Sequence, residues 1–330
     1  MVDSSQQSVL ITGANGFVGS RLCRRFLDAG FHVIAGVREN CDRTLINDLD
    51  LEYRYGDVTY PESLPAMVRD VDYIIHNAGV VKARTKETFY KVNHFGTQNI
   101  TEASLSDENL KKLIFISSLA AAGPSQPGRP LTESDPPHPI TEYGRSKLAG
   151  EEAVLKFKDR LHVLALRPPG VYGPGDKEMF AFFQMLNRGL RPLLGNLERR
   201  IQLVHVDDLT LGVLKAVTAE TEPGRIYYIA EATGYSYREL VNFVAEAVGK
   251  KGFPLRLPGG VVRAVASVFE TVMKAFGGAP MFTREKADEL LADWEVDTSR
   301  AKNELGYQSQ YPFPEGAKQT VVWYRERNWL

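Results

Sequence analysis

Ser8-Val9-Leu10-Ile11-Thr12-Gly13-Ala14-Asn15-Gly16-Phe17-Val18-Gly19 decides how this chain folds. Its first five residues are short, apolar and β-branched, the composition of a strand buried on both faces. Glycines at 13, 16 and 19 then turn the chain sharply. The next segment, 17–29, has helical patterning and stops at Gly30. Such a strand-turn-helix unit presents free backbone N–H groups and the positive end of a helix dipole. That is a cradle for a pyrophosphate. Gly13, Asn15, Gly16, Phe17, Val18 and Gly19 are therefore candidate cofactor contacts. Three glycines alone are weak evidence; their place between a strand and a helix is what gives them weight.

The same alternation continues outward. Strand-like segments are expected at 32–37, 51–55, 73–76, 113–117 and 161–166, with helices between them, including 87–104 and 142–157. Alternation of this kind predicts an α/β fold: a doubly wound parallel sheet of the Rossmann type. Ligands of such sheets lie beyond the carboxyl ends of the strands. After Arg167 the texture changes to a turn-rich crossing with Pro168, Pro169, Gly170, Gly173, Pro174 and Gly175. A strand at 201–206, a helix at 208–217 and a strand at 226–229 follow. The expected division is an NAD(P)-binding domain of residues 1–167, with 201–230 returning to it. Residues 168–200 and 231–330 form a smaller, mostly helical substrate lobe. The Pro-rich stretch 123–139 reads as a surface loop near the site.

Composition bounds the function. The chain has 330 residues, 43% hydrophobic and 25% charged, with net charge −1. That balance suits an ordinary soluble globular protein with a sizeable core and gives no strong field for nucleic acid or an anionic membrane. Cys23 and Cys41 are the two cysteines, without metal-ligand spacing, so no metal is expected. They fit a reducing cytoplasm. Met1-Val2-Asp3-Ser4-Ser5-Gln6-Gln7 lacks a basic region followed by an apolar run and does not read as a signal peptide. No apolar stretch is long enough for an integral membrane segment.

Tyr143-Gly144-Arg145-Ser146-Lys147 carries the chemistry. Residues i and i+4 share a helix face, so a phenol and an ammonium lie together. A phenol loses its proton near pH 10. A neighbouring cation should lower that value. Ser117-Ser118 ends the 113–117 strand, where a hydroxyl can hydrogen-bond a substrate oxygen that gains charge. The catalytic set expected is Ser118, Tyr143 and Lys147, with Ser117 the alternative serine if the register slips by one. Asn93 joins this set, bonding either active-site backbone or cofactor. His76, His94 and His205 read as structural.

Arg38 ends the second strand, where an acidic residue would hold the 2′-hydroxyl of NAD. An arginine there suits a 2′-phosphate, so NADP is preferred over NAD. Arg43 is placed to assist; Glu39 opposes. Asp57-Val58 after the third strand lies where adenine would sit, although Asp57 also reads as a turn residue. Ala78-Gly79 after the fourth is small enough to let the cofactor pass. Ser117, Tyr143, Lys147, Pro168 and Val171 complete the expected cofactor contacts.

With those motifs in view, the chain resembles the extended short-chain dehydrogenase/reductases, the NAD-dependent epimerase/dehydratase superfamily, over nearly its whole length. The matching residues are the glycine loop, Asp57-Val58, His76-Asn77-Ala78-Gly79, Asn93, Ser117-Ser118, Tyr143 to Lys147, Arg167-Pro168, Val171-Tyr172-Gly173-Pro174 and His205-Val206-Asp207-Asp208. The resemblance implies NAD or NADP chemistry on alcohols, ketones or nucleotide sugars. It implies a homodimer through helices 87–104 and 142–157. It maps the Ser/Tyr/Lys triad onto Ser118, Tyr143 and Lys147. The segment 117–124 and Ala35-Gly36-Val37-Arg38 look like the hydroxysteroid dehydrogenase and dihydroflavonol reductase branch. Nucleotide-sugar enzymes usually place an arginine where this chain has Ile201, with Arg199 and Arg200 displaced. The expected activity is therefore interconversion of a secondary alcohol and a ketone on a small, apolar substrate. A nucleotide-sugar epimerase or dehydratase with tightly held NAD is the rival, and an NADP sensor without turnover is the third reading. Val261, Val262, Val265, Val268, Phe269, Val272, Met273 and Phe276 form a helical apolar stripe, interrupted by Arg263 and Lys274. It reads as a packed helix, a lid over an apolar substrate, or a peripheral membrane contact.

Overall fold

The computed structural model describes residues 6–275 and 282–330. Phe276 of the apolar stripe and residues 1–5 of the amino-terminal reading lie outside the described residues, as does the side chain of Lys274.

Seven strands form one parallel sheet. Read across the sheet, they are Ile226–Tyr228, Val163–Arg167, Lys112–Ile116, Tyr73–His76, Ser8–Thr12, His32–Val37 and Glu52–Tyr55. Each neighbouring pair is parallel. The alternation of side chains along the opening strand puts it in two cores at once. Val9 and Ile11 pack with Phe26, Leu209 and Val213 on one face. Leu10 packs with Ile74, Leu113, Phe115, Ile100 and Val154 on the other. Strand order reverses between the Ser8 and Tyr73 strands, which is where ligands of such sheets bind. The fold class is thus the doubly wound α/β architecture that the sequence pattern calls for.

The segment expected as one helix at 87–104 is helical throughout but not uniform. An α-helical turn, Lys86–Phe89, leads into a π-helical stretch, Tyr90–Phe95, and then an α-helix, Gly96–Ser104. π turns are uncommon and often mark functional positions; this one contains Asn93.

The strand expected at 201–206 is split. Arg200–Ile201 pairs with Tyr235–Ser236, and Leu203–His205 pairs with Gly170–Tyr172, both outside the main sheet. Gln202 causes the break. Its backbone N–H goes to the Trp294 carbonyl at 2.8 Å, and its side-chain oxygen accepts from Val296 N–H at 2.7 Å. A residue bonded to the 294–296 segment cannot continue a ladder. The helix Val206–Thr218 does return to the sheet, and Arg21 of the Phe17–Asp28 helix meets Asp207 at 2.5 Å.

A second core is built from Tyr172, Phe183, Leu240, Val244, Phe313 and Tyr324. The 123–139 stretch is irregular and is tied down by carboxyl-terminal residues: Ser125 N–H to Asp293 and Leu131 N–H to Glu295, each at 2.9 Å. No described helix is long and apolar enough to cross a membrane.

Candidate active site

The glycine loop is shaped by close approach. Gly13 has a φ of +63°, and a Cβ there would lie 3.0 Å from Ala78 Cα. At Gly19 a Cβ would meet the Gly13 carbonyl oxygen at 2.1 Å. Gly16 caps the Phe17–Asp28 helix with no side-chain hydrogen bond, so the first backbone N–H groups face outward for an anion. Thr12 fixes the loop against the fourth strand. Its hydroxyl accepts from Ala78 N–H at 3.0 Å and meets His76 Nδ1 at 2.9 Å. His76 is fully buried, and burial pushes its pKa down to about 3, so it is a neutral core bridge. Asn15 is half-buried and donates to the Asp42 carbonyl at 2.9 Å. Phe17 and Val18 are half-buried beside it.

Arg38 is exposed at the end of its strand. Arg43 is not equally free: its guanidinium lies 5.2 Å from the centre of the Tyr53 ring. Asp57 takes the turn role, its carboxylate accepting from Thr59 N–H at 2.8 Å. Val58 is buried, and its carbonyl accepts from Asn99 at 2.8 Å. Ala78 is half-buried and Gly79 exposed. An ideal Cβ on Gly79 would lie 3.2 Å from Asn93 Oδ1 and 3.7 Å from Lys147 Nζ. Side-chain-free backbone beside that ammonium, together with the open helix end, fits a dinucleotide.

The Glu142–Leu155 helix is started by Thr141, whose hydroxyl accepts from Gly144 N–H at 3.0 Å. The Ser118 side chain lies near Tyr143 and acts to lower the phenol's pKa. The Ser118 hydroxyl oxygen accepts from Ala120 N–H at 3.1 Å, which leaves its proton for the phenol. Ser117 faces the other way, donating to the Glu151 carboxylate. Geometry therefore brings Ser118, not Ser117, to Tyr143. Lys147 is buried, donates to the Ile116 carbonyl at 2.6 Å and lies 4.3 Å from the centre of the Phe115 ring.

The expected lowering of the phenol by Lys147 is not what these environments produce. Burial pushes Tyr143 up to about 12; the Ser118 hydrogen bond opposes this, and the Glu289 and Glu178 carboxylates add to it. Burial also drives Lys147 down to about 7, with Glu151 opposing. Desolvation is the largest influence on both groups, and neither is among the causes of the other's shift.

Asn93 is fully buried and fully engaged. Its Oδ1 accepts from Val80 N–H at 2.9 Å, and its Nδ2 donates to Val80 O and Ser146 Oγ, each at 3.0 Å. It clamps the 79–80 backbone to the tyrosine helix. Pro168 is buried and accepts from Leu119 N–H at 2.7 Å; Val171 packs on the main core. The sequence reading missed Glu151. It holds Arg167 through a bidentate, buried pair at 2.7 Å and lies one turn beyond Lys147. The i+4 position was the available signal.

His205 caps the Val206–Thr218 helix and stacks on Tyr311 at 4.5 Å. Asp208 accepts from the backbone of Gln310 and Tyr311. That motif ties the Val206–Thr218 helix to residues 310–311. Among the described residues no cluster of three His, Cys, Asp or Glu side chains can hold a metal ion.

A phosphate cradle at the strand-order reversal, with Ser, Tyr and Lys converging beyond the neighbouring strand ends, defines an NAD(P)-dependent oxidoreductase. Residues 9–230 match the model of the NAD dependent epimerase/dehydratase family. The chain belongs to that family, as an extended short-chain dehydrogenase/reductase enzyme. Among its relatives is a ceramide reductase of Caulobacter vibrioides, 30% identical over 334 residues, spanning 100% of this chain and 98% of that protein. A 3 beta-hydroxysteroid dehydrogenase/Delta 5-->4-isomerase of Mycobacterium tuberculosis is 27% identical, over 96% of this chain and 90% of its own. The crystal structure of gox2253 superposes with a TM-score of 0.84 at 28% identity, covering 98% of this chain and 99% of that one.

Proposed function

We propose that this enzyme prefers NADP and interconverts a secondary alcohol and a ketone on an apolar substrate. The carrying observation is the convergence of Ser118 on Tyr143 with Lys147 one turn below. The dinucleotide, when bound, supplies or takes the hydride. In the reducing direction Tyr143 gives its proton to the carbonyl oxygen as that oxygen gains charge. A phenol pushed up to about 12 stays protonated at neutral pH and is ready to donate. Ser118 hydrogen-bonds the same oxygen and steadies the phenolate that remains. Lys147, in its protonated form, supplies positive charge one helical turn from that phenolate and would hold the cofactor ribose. In the oxidising direction the same proton returns to Tyr143. Glycines 13, 16 and 19 would hold the pyrophosphate, and Arg38 would meet a 2′-phosphate.

The apolar substrate is favoured over a nucleotide sugar by two arginines. Arg199 is buried 3.8 Å over the Tyr237 ring and donates to the Leu194 and Asn196 carbonyls. Arg200 is taken by Glu295 and the Gly234 carbonyl. Neither is free for a diphosphate. Relatives named for ceramide and steroid chemistry support the same choice. We place a second copy across the 87–104 and 142–157 helices, where Phe95 is 52% exposed. The unpaired Cys23 and Cys41 suit a cytoplasmic enzyme.

The test is NADPH oxidation across a panel of apolar ketones, comparing wild type with Tyr143→Phe. Losing a general acid should lower kcat by about 10²–10⁴-fold. Equal turnover in both proteins sinks the mechanism.

A further inference from the structure

The helix Gly259–Ala275 buries one stripe and exposes a second. Val262 and Ala266 pack against Leu194, Leu257, Ala287 and Leu291. At about 100° per residue, Val261, Ala264, Val265, Val268, Phe269 and Val272 share a neighbouring face. All six are exposed, Val268 at 64%. No charged side chain interrupts this arc, since Arg263 points away and pairs with Asp288 at 2.6 Å.

The apolar surface continues onto the sheet beneath. Leu190–Leu194 and Phe253–Leu257 pair in parallel, with Leu190 opposite Phe253 and Leu194 opposite Leu257. Paired residues, and residues two apart, share a sheet face. The helix covers the Leu194/Leu257 end of that face. The other end leaves Leu190, Leu255 and Phe253 exposed, Phe253 at 69%. Next to these strands in sequence stand Arg188, Lys250 and Lys251, all exposed and, among the described residues, without an ion-pair partner; Arg256 falls on the opposite sheet face. Exposed apolar side chains clustered on one face mark an interaction surface. Apolar side chains beside unpaired cations match the boundary of an anionic bilayer.

The surface also leads to the site. Its helix packs on Arg284–Leu291, and Glu285 of that helix accepts from Glu142 N–H at 2.9 Å, one residue before Tyr143. We infer that this face docks on an anionic lipid surface and opens the site toward the bilayer, from which an apolar substrate enters. This rests on the apolar-substrate reading above for its purpose, but not for its test.

The test is co-sedimentation of the full chain with vesicles, without substrate or dinucleotide. Vesicles of phosphatidylcholine alone are compared with vesicles containing phosphatidylglycerol. The wild type should sediment with the anionic vesicles and much less with the neutral ones, and added salt should weaken binding. Each cation near such a surface is worth about fivefold. Lys250→Glu with Lys251→Glu should therefore weaken binding at least about twentyfold, and Val268→Glu should also weaken it. No sedimentation of the wild type, or binding indifferent to both variants, overturns the inference. So does a Val268→Glu protein that keeps its vesicle binding but sediments as a smaller species, because the face then belongs to a second copy. If Val268→Glu does not fold, the surface lysine pair decides alone. Turnover of a water-soluble ketone, measured in parallel, must be unchanged in the lysine variant. Its failure in the wild type would reject the proposed reaction without touching the vesicle result.

Discussion

The Lys147 ammonium lies 2.6 Å from the carbonyl oxygen of Ile116, inside the protein rather than in water. Burial lowers the lysine pKa from 10.5 to about 7. Between those values the unfolded chain binds the proton and the folded chain does not. Stability therefore rises as pH climbs from about 7 toward 10.5, and the penalty is complete below about 7. Lys147→Met should melt higher than wild type at pH 6, by a few kcal/mol less one lost hydrogen bond. The difference should shrink toward pH 10 while activity is lost at every pH. Thermal unfolding of the cofactor-free proteins across that range checks it. A wild type that is more stable at pH 6 would falsify the argument.

Glu151 and Arg167 are nearly solvent-free, and Ser117 shares the same carboxylate. Removing one member of such a pair strands a buried charge, which costs about 3–5 kcal/mol. Glu151→Gln should show that loss in urea unfolding. Glu151→Met combined with Arg167→Met should recover most of it, because two apolar side chains leave no charge behind. A double variant as unstable as the single one would mean that the packing, not the charge, is what matters.

At Gly19 a methyl group would stand 2.1 Å from the Gly13 oxygen and 2.8 Å from Ala14 Cα, both backbone atoms that the loop cannot move cheaply. Gly19→Ala should open the cradle and weaken dinucleotide binding at least about tenfold, with a stability cost of about 1–3 kcal/mol. Gly30→Ala is the control. Its φ is +83° but nothing lies within 4 Å of the added carbon, so it should cost about 1–2 kcal/mol of strain and leave affinity alone. Titration of cofactor fluorescence separates the two.

The strands Ser8–Thr12, His32–Val37 and Tyr73–His76 were legible because β-branched, apolar runs end at glycine or polar turns. The placement of Ser118 just past a strand, and of Tyr143 and Lys147 on one helix, was legible because strand ends and helix spacing are local properties. What escaped the sequence is set by distant partners. Gln202 breaks a strand because residues 294–296 take its hydrogen bonds. Burial of the phenol and the ammonium depends on Phe89, Phe115 and the elements packed around them. Spacing shows that two groups are neighbours; it does not show how much water they share.

Arg199, stacked over Tyr237, gives a direct test against the nucleotide-sugar alternative. A ligand present at a hundred times its Kd stabilises by about 2.7 kcal/mol, or roughly 4 °C for a chain of 330 residues. UDP-glucose and UDP-glucuronic acid should leave the melting temperature within about 1 °C of the ligand-free value, whereas NADPH should raise it by that larger amount. A rise with UDP-glucose would mean that a diphosphate finds cations other than Arg199 and Arg200.

Arg38 makes no ion pair among the described residues and projects from the strand end where the cofactor ribose would lie. Arg43 is held over Tyr53 and donates to the Tyr55 hydroxyl at 3.4 Å. The two arginines are therefore unequal. Arg38→Asp replaces a phosphate partner with a group that accepts from the 2′-hydroxyl and repels a 2′-phosphate. The ratio of kcat/KM for NADPH over NADH should fall at least about tenfold, mainly through the KM for NADPH. Arg43→Ala should move the same ratio less, since its guanidinium must first leave the tyrosine ring to reach a phosphate. If Arg43→Ala proves the larger of the two, the 2′-phosphate is held from the 39–46 turn, and Arg38 is a solvated surface residue.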